Sequence, residues 1–248
     1  MEIVFILAAI TGRILILPPD QPMYLLRNDS SNKRRGLAGF FDMEGKSFKK
    51  RVNVITMEKF IEREGMPGGQ FMTTPTEYEE LATLSREGCD KKAISCGKIH
   101  EYLVKHGISP NITATHHQCL VVDDGYYHNN RKPDNATSAK EFCSSGNRKM
   151  VYLTPELNEP QLLYIQAGKP ATRMLAHYYG YIHFTDPALG NYFKRYVRDL
   201  LHYRHEIFCA AGNIVRKLQD MGEQLGFPVD EEGSGGFSAL HVRRGDFQ

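Results

Sequence analysis

Residues 13–19 read RILILPP, and no other stretch restricts the fold as much. An apolar run without polar alternation, closed by prolines, reads as a strand buried on both faces. Such strands lie inside parallel sheets, and parallel strands need long crossovers, usually helical. The neighbouring sequence supplies candidates. "MEIVFILAAITGR" reads as a buried helix ending near Gly12. A signal peptide is the alternative, but no basic leading stretch supports it, and Thr11-Gly12-Arg13 interrupts the run too early for a membrane span.

The alternation continues downstream. Val52, Val54 and Ile55 suggest a strand, then Thr56 caps a helix with Met57, Phe60 and Ile61 inward and Gly65 at its end. "TPTEYEELATLSREG" opens on Thr-Pro, which suits a cap and first helical position. "KIHEYLVKHG" sets Ile99, Tyr102, Leu103 and His106 at helical spacing. "CLVVDDGYYH" reads as two extended pieces around an Asp-Gly turn. Residues 28–50 and 129–149 read as loop, and "MVYLTP", "QLLYIQAG" and "GYIHF" as strands. Two consecutive helices follow. One carries Phe193, Tyr196, Val197, Leu200 and Leu201, the other Ile207, Phe208, Ala211, Ile214, Val215 and Leu218, with a phase slip around Tyr203 to His205. "FSALHVR" is a last strand. Strands alternating with helices predict an α/β protein with a mostly parallel sheet.

Hydrophobic residues at 41% provide for a core, and a formal charge of +2 argues against a general nucleic-acid binder. The basic runs "SNKRRG" and "KKR" are short and read as solvated faces. The five cysteines form no C-x-x-C pair, so no structural zinc is expected. Cys209, between apolar neighbours, reads as a buried inert thiol. Sequons at Asn28, Asn111 and Asn135 sit in polar settings and, with the scattered cysteines, favour a secretory lumen.

The chemistry concentrates in "HVRRGD". If the last strand is real, His241, Arg243, Arg244 and Asp246 stand at its carboxyl end, where open α/β sheets collect ligands. Two guanidinium forks match phosphate oxygens and stabilise charge on a departing diphosphate. The alternative is a solvated turn in which Asp246 pairs one arginine. Arg244-Gly245-Asp246 as an adhesion tripeptide is disfavoured, because three residues recur by chance and here follow a buried strand. No Asp-x-Asp is present to clamp a metal, Asp123-Asp124 reads as the hairpin turn, and Asp230, Glu231 and Glu232 read as a solvated linker. His116, His117 and His241 are bases on paper only. No G-x-S-x-G elbow, G-x-G-x-x-G or Walker loop occurs.

"FSALHVRRGDFQ", the preceding "YFKRYVRDLLHYRHEIFCAAGNIVRKL", and "ITGRILILPP" with a following "YLL" together resemble the plant-type GDP-fucose protein O-fucosyltransferase family. The resemblance is strongest over residues 175–248 and clear over 1–26. It implies a GT-B-like architecture, with a Rossmann-like acceptor-side domain over residues 1–185 and the truncated start of a second, GDP-fucose-binding Rossmann-like domain over 186–248. It implies inverting, metal-independent transfer of fucose from GDP-fucose to a hydroxyl of a protein or glycan, in the Golgi or endoplasmic reticulum lumen, with no cofactor. The family's His-x-Arg-Arg motif falls on His241, Arg243 and Arg244, with Asp246 in the matching extension. Donor binding is therefore expected of these four residues and catalysis of Arg243. A general base is expected upstream of Met1, and no membrane anchor within these residues. The alternative function is a non-catalytic glycan- or protein-binding fragment that keeps the fold.

Overall fold

A computed structural model describes residues 2–20, 37–43, 45–88, 94–108, 112, 118–133, 137–145, 147–165, 181–228 and 237–239. The chain divides into two compact units, Met1–His202 and Tyr203–Gln248.

In the first unit, α1 (Glu2–Ile10) leads into β1 (Leu15–Leu17). Gly12 makes the reversal with φ +62, a left-handed conformation that costs glycine little. β1 runs parallel to β2 (Val54–Thr56), with Leu15 opposite Val54. A second parallel sheet has β3 (Gln118–Val122) at its centre, between β4 (Lys149–Tyr152) and β5 (Ile182–Phe184). The α/β class and parallel pairing match the sequence reading, but the strands fall into two sheets.

β3 is central because Cys119, Leu120, Val121 and Val122 are apolar on both faces and all buried. Each such aliphatic side chain stabilises the fold by about 1.5–3 kcal/mol, as an upper estimate. Leu120 and Val122 join a core with Ile3, Phe5 and Ile6 of α1 and with α8 (Pro187–Leu200). The opposite face, Cys119 and Val121, packs on α7 (Thr137–Ser144), where Cys119 is disulfide-bonded to Cys143.

Local capping chemistry sets the helix starts. Thr56 Oγ1 accepts from Lys59 N–H at the start of α3 (Met57–Phe60). Thr74 does the same for Glu77 in α4 (Pro75–Glu87), with proline at the first position. α3 continues into a π turn, Ile61–Gly65. α4 and α5 (Ile94–His106) close a second core around Phe60, Ile61, Leu81 and Tyr102.

Several readings change. Asp123-Asp124 is no hairpin turn: Asp123 accepts from Tyr126 N–H and caps α6 (Asp124–Asn129), and the neighbouring strands are parallel. The Asp-Gly signal lost to a cap because β3 is already paired on both edges. The supposed loop 129–149 contains α7, buried through Ala139 and Cys143. The loop read over 28–50 contains a 3-10 turn at Leu37–Gly39 and α2 (Lys46–Lys49). Within "QLLYIQAG", residues 161–165 form no strand, only a single parallel bridge from Leu163 to Ile108.

The second unit contains α9 (His205–Gln224), separated from α8 at the predicted phase slip. Arg204 reaches forward to Glu206, at 3.1 Å. Cys209 is exposed rather than buried, with its Sγ 3.2 Å from His205 Nε2 one turn earlier. Phe237–Ala239, the described part of the predicted last strand, carry no strand pairing; the rest of that strand lies outside the described residues.

Candidate functional site

A groove of about 520 Å³ runs along β1. Val4, Leu7 and Ala8 of α1 line it, as do Met57 and Phe60 of α3 and residues 161–165. It follows a strand edge. Leu15 N–H donates to Asn53 O at 2.8 Å on the β2 side, so strand alternation turns the backbone of Ile16 the other way.

The polar groups of the groove stand apart on this apolar lining. Arg13 enters from the start of β1, and its Nη2 donates to Leu157 O at 2.6 Å and its Nη1 to Gln161 O at 3.4 Å. Its Nε is shut from water without a partner among the described residues. The π turn contributes the ion pair of Arg63 Nε with Glu64 Oε1, at 2.6 Å. Tyr164 hydroxyl lies 2.7 Å from His100 Nδ1, and burial pushes its ionisation upward. The described lining is mostly apolar, with these few polar groups spaced along it.

The carboxyl end of the second sheet is the other place to examine. There Asp123 Oδ2 accepts from Thr185 Oγ1 at 3.1 Å, while Oδ1 accepts from Tyr126 N–H at 3.0 Å. Burial and then the Asp123 carboxylate push Tyr152 upward. Asp123 is thereby held by its neighbours and acts as a cap and strand tie. Among the described residues no group of three or more His, Cys, Asp or Glu side chains is placed to hold a metal.

His241, Arg243, Arg244 and Asp246 lie outside the described residues, as do His116 and His117. Sequence reasoning passed over Arg13, although an arginine at the mouth of a buried strand was visible. What it bonds was not, because Leu157 is 144 positions away.

The sequence profile of the GDP-fucose protein O-fucosyltransferase family matches residues 1–248, the whole chain. The chain belongs to that family. No curated protein and no solved structure matches it. As a member of the O-fucosyltransferase family, the protein is grouped with fucosyltransferase-like glycosyltransferases, for which GDP-fucose is the implied donor and a protein the implied acceptor. Family members act in the secretory pathway. The buried Cys119–Cys143 bond agrees with an oxidising compartment. No described helix is long and apolar enough to cross a membrane.

Proposed function

We propose that the protein is an O-fucosyltransferase of GT-B-like architecture that uses GDP-fucose as donor, with inversion at the sugar and without a metal. The single observation that carries this reading is the family match over all 248 residues. The acceptor hydroxyl attacks the anomeric carbon of fucose from the face opposite GDP. The bond from that carbon to the diphosphate oxygen breaks, the electron pair leaves with GDP, and the hydroxyl proton passes to a base. Arg243 and Arg244 hold the diphosphate, and Arg243 stabilises the charge growing on it. His241 and Asp246 contact the donor beside them. The family supports a protein as acceptor, and its members' place in the secretory pathway supports work in the Golgi or endoplasmic reticulum lumen.

Calorimetry with GDP-fucose tests the reading. Binding is expected for the wild type and is expected to be lost in Arg243→Ala and Arg244→Ala. Turnover is expected to survive EDTA and to fall on the order of a hundredfold in Arg243→Ala. A wild type that binds no GDP-fucose, or an Arg243→Ala variant that binds and turns over undiminished, overturns it.

A further inference from the structure

The turn over residues 66–73 sits against α5 through an unusual contact. Phe71 and Tyr102 both meet the ring of His106, with centroids at 6.1 and 4.9 Å. Tyr102 hydroxyl donates to Phe71 O at 2.8 Å, which fixes the turn to the helix. The turn's remaining bonds among the described residues run from Phe71 N–H to Glu64 O at 2.9 Å, from Thr73 N–H and Oγ1 to Gly65 O at 3.1 and 3.3 Å, from Thr73 Oγ1 to Thr74 O at 3.2 Å and from Gly69 N–H to Met66 O at 2.8 Å. Inside this cluster His106 Nε2 is closed off from water and has no partner among the described residues.

That nitrogen decides the behaviour of the ring. In the neutral tautomer with Nε2 bare, a weak acceptor is buried, which is tolerable. Protonation puts an N–H at Nε2, where neither water nor an acceptor among the described residues reaches, which costs far more. We infer that His106 is an acid-sensitive latch: neutral, it clamps the 66–73 turn to α5, and protonation releases that turn. Phe71 and Gln70 of the turn line the groove along β1, so release loosens one groove wall.

The charges around the ring come from three directions. On its own helix Lys105 opposes protonation, and Tyr102 stays neutral with its ionisation pushed up to about 12. On α4, Glu77 favours protonation but is shared with Lys105, at 3.9 Å. Glu64 of the π turn faces Tyr102 and is paired with Arg63. The carboxyl end of α5 also favours the cation. Burial outweighs these and holds His106 below its ordinary value. The sign follows. The folded form prefers neutral His106, so the clamp is complete above about 6.5 and is lost as pH falls through that value toward the lower folded one.

Hydrogen exchange by mass spectrometry on the whole chain tests the latch, with rates corrected for the intrinsic effect of pH. Between pH 7.5 and pH 5, peptides covering 66–73 are expected to lose protection about tenfold while peptides from α1 keep theirs. His106→Phe and His106→Gln are expected to abolish the difference. The imidazole NMR signal of His106 is expected to titrate below 6.5 with the same midpoint. Equal protection at both pH values, equal loss in α1, a pH response that persists in both variants, or a His106 midpoint at or above the ordinary value overturns the proposal. None of these readouts involves fucose transfer, so the latch and the transferase reading fail separately.

Discussion

Arg13 donates to the carbonyl of Leu157 at 2.6 Å, so the first residue of the RILILPP run is tied to a turn 144 positions later. The same guanidinium reaches Gln161 O. One side chain thereby joins the start of β1 to the 3-10 turn at Pro155–Asn158, which follows β4. Replacement by methionine keeps an apolar stem of similar length and removes both bonds. Arg13→Met is expected to lose about 1.5–3 kcal/mol, the range for hydrogen bonds to a charged group. Urea denaturation checks this through a lower midpoint at unchanged slope; an unchanged midpoint shows that the buried, unpaired Nε cancels the gain.

The Cys119–Cys143 bond closes a loop with a sequence separation of 24. A loop of that length restrains the unfolded chain enough for about 3 kcal/mol of stability. The double replacement Cys119→Ala/Cys143→Ala is expected to lower stability by about that amount. Both residues are buried, so dithiothreitol is expected to reduce the native protein slowly and at the rate of opening. Fast reduction under native conditions, read by thiol labelling, contradicts that placement.

Of the tyrosines that burial pushes upward, Tyr102 and Tyr181 are pushed furthest. Burial pushes Tyr181 up to about 12, and burial followed by Glu64 and Glu77 pushes Tyr102 up to about 12. The neutral phenol is the form the fold prefers. Its contribution is full below the ordinary value of 10 and is lost as pH rises from there through 12. Phenolate absorbance is expected to rise in two phases, the second coinciding with loss of circular dichroism. A single phase near 10 that includes Tyr102 and Tyr181 counts against their burial.

Gly190 lets α8 approach β5. A β-carbon added there stands 3.3 Å from the β-carbon of Phe184, an atom close to the strand backbone, and Phe184 is stacked on Phe193 at 5.3 Å. Alanine gains about 1 kcal/mol of helix propensity, while overpacking typically costs about 1–3 kcal/mol. A net loss of about 1 kcal/mol is expected for Gly190→Ala, measured by thermal or urea unfolding. A stabilised variant shows that the strand yields.

The candidate site was legible in a different way from the fold. The arginine motif stood out through its residue types and its place after an apolar run, but those residues lie outside the described structure. The groove along β1 was illegible, because its lining comes from residues 4 to 165 and no segment carries it alone.

Several helix limits were written locally. Thr56, Thr74 with Pro75, and Asp186 with Pro187 each cap a helix within a few residues, and Gly12 ends α1 by its own backbone freedom. The apolar run of RILILPP marked a strand, but its burial on both faces was not realised: among the described strands β1 pairs only with β2, and Ile14, Leu15 and Ile16 line the open groove, whereas β3, paired on both edges, is the strand that is buried. Tertiary structure decided the rest. It alone divided the strands between two sheets, paired Cys119 with Cys143, turned Cys209 outward and made Asp123 a cap. Those outcomes depend on which distant segment arrives beside each residue, and short-range propensity carries no information about that.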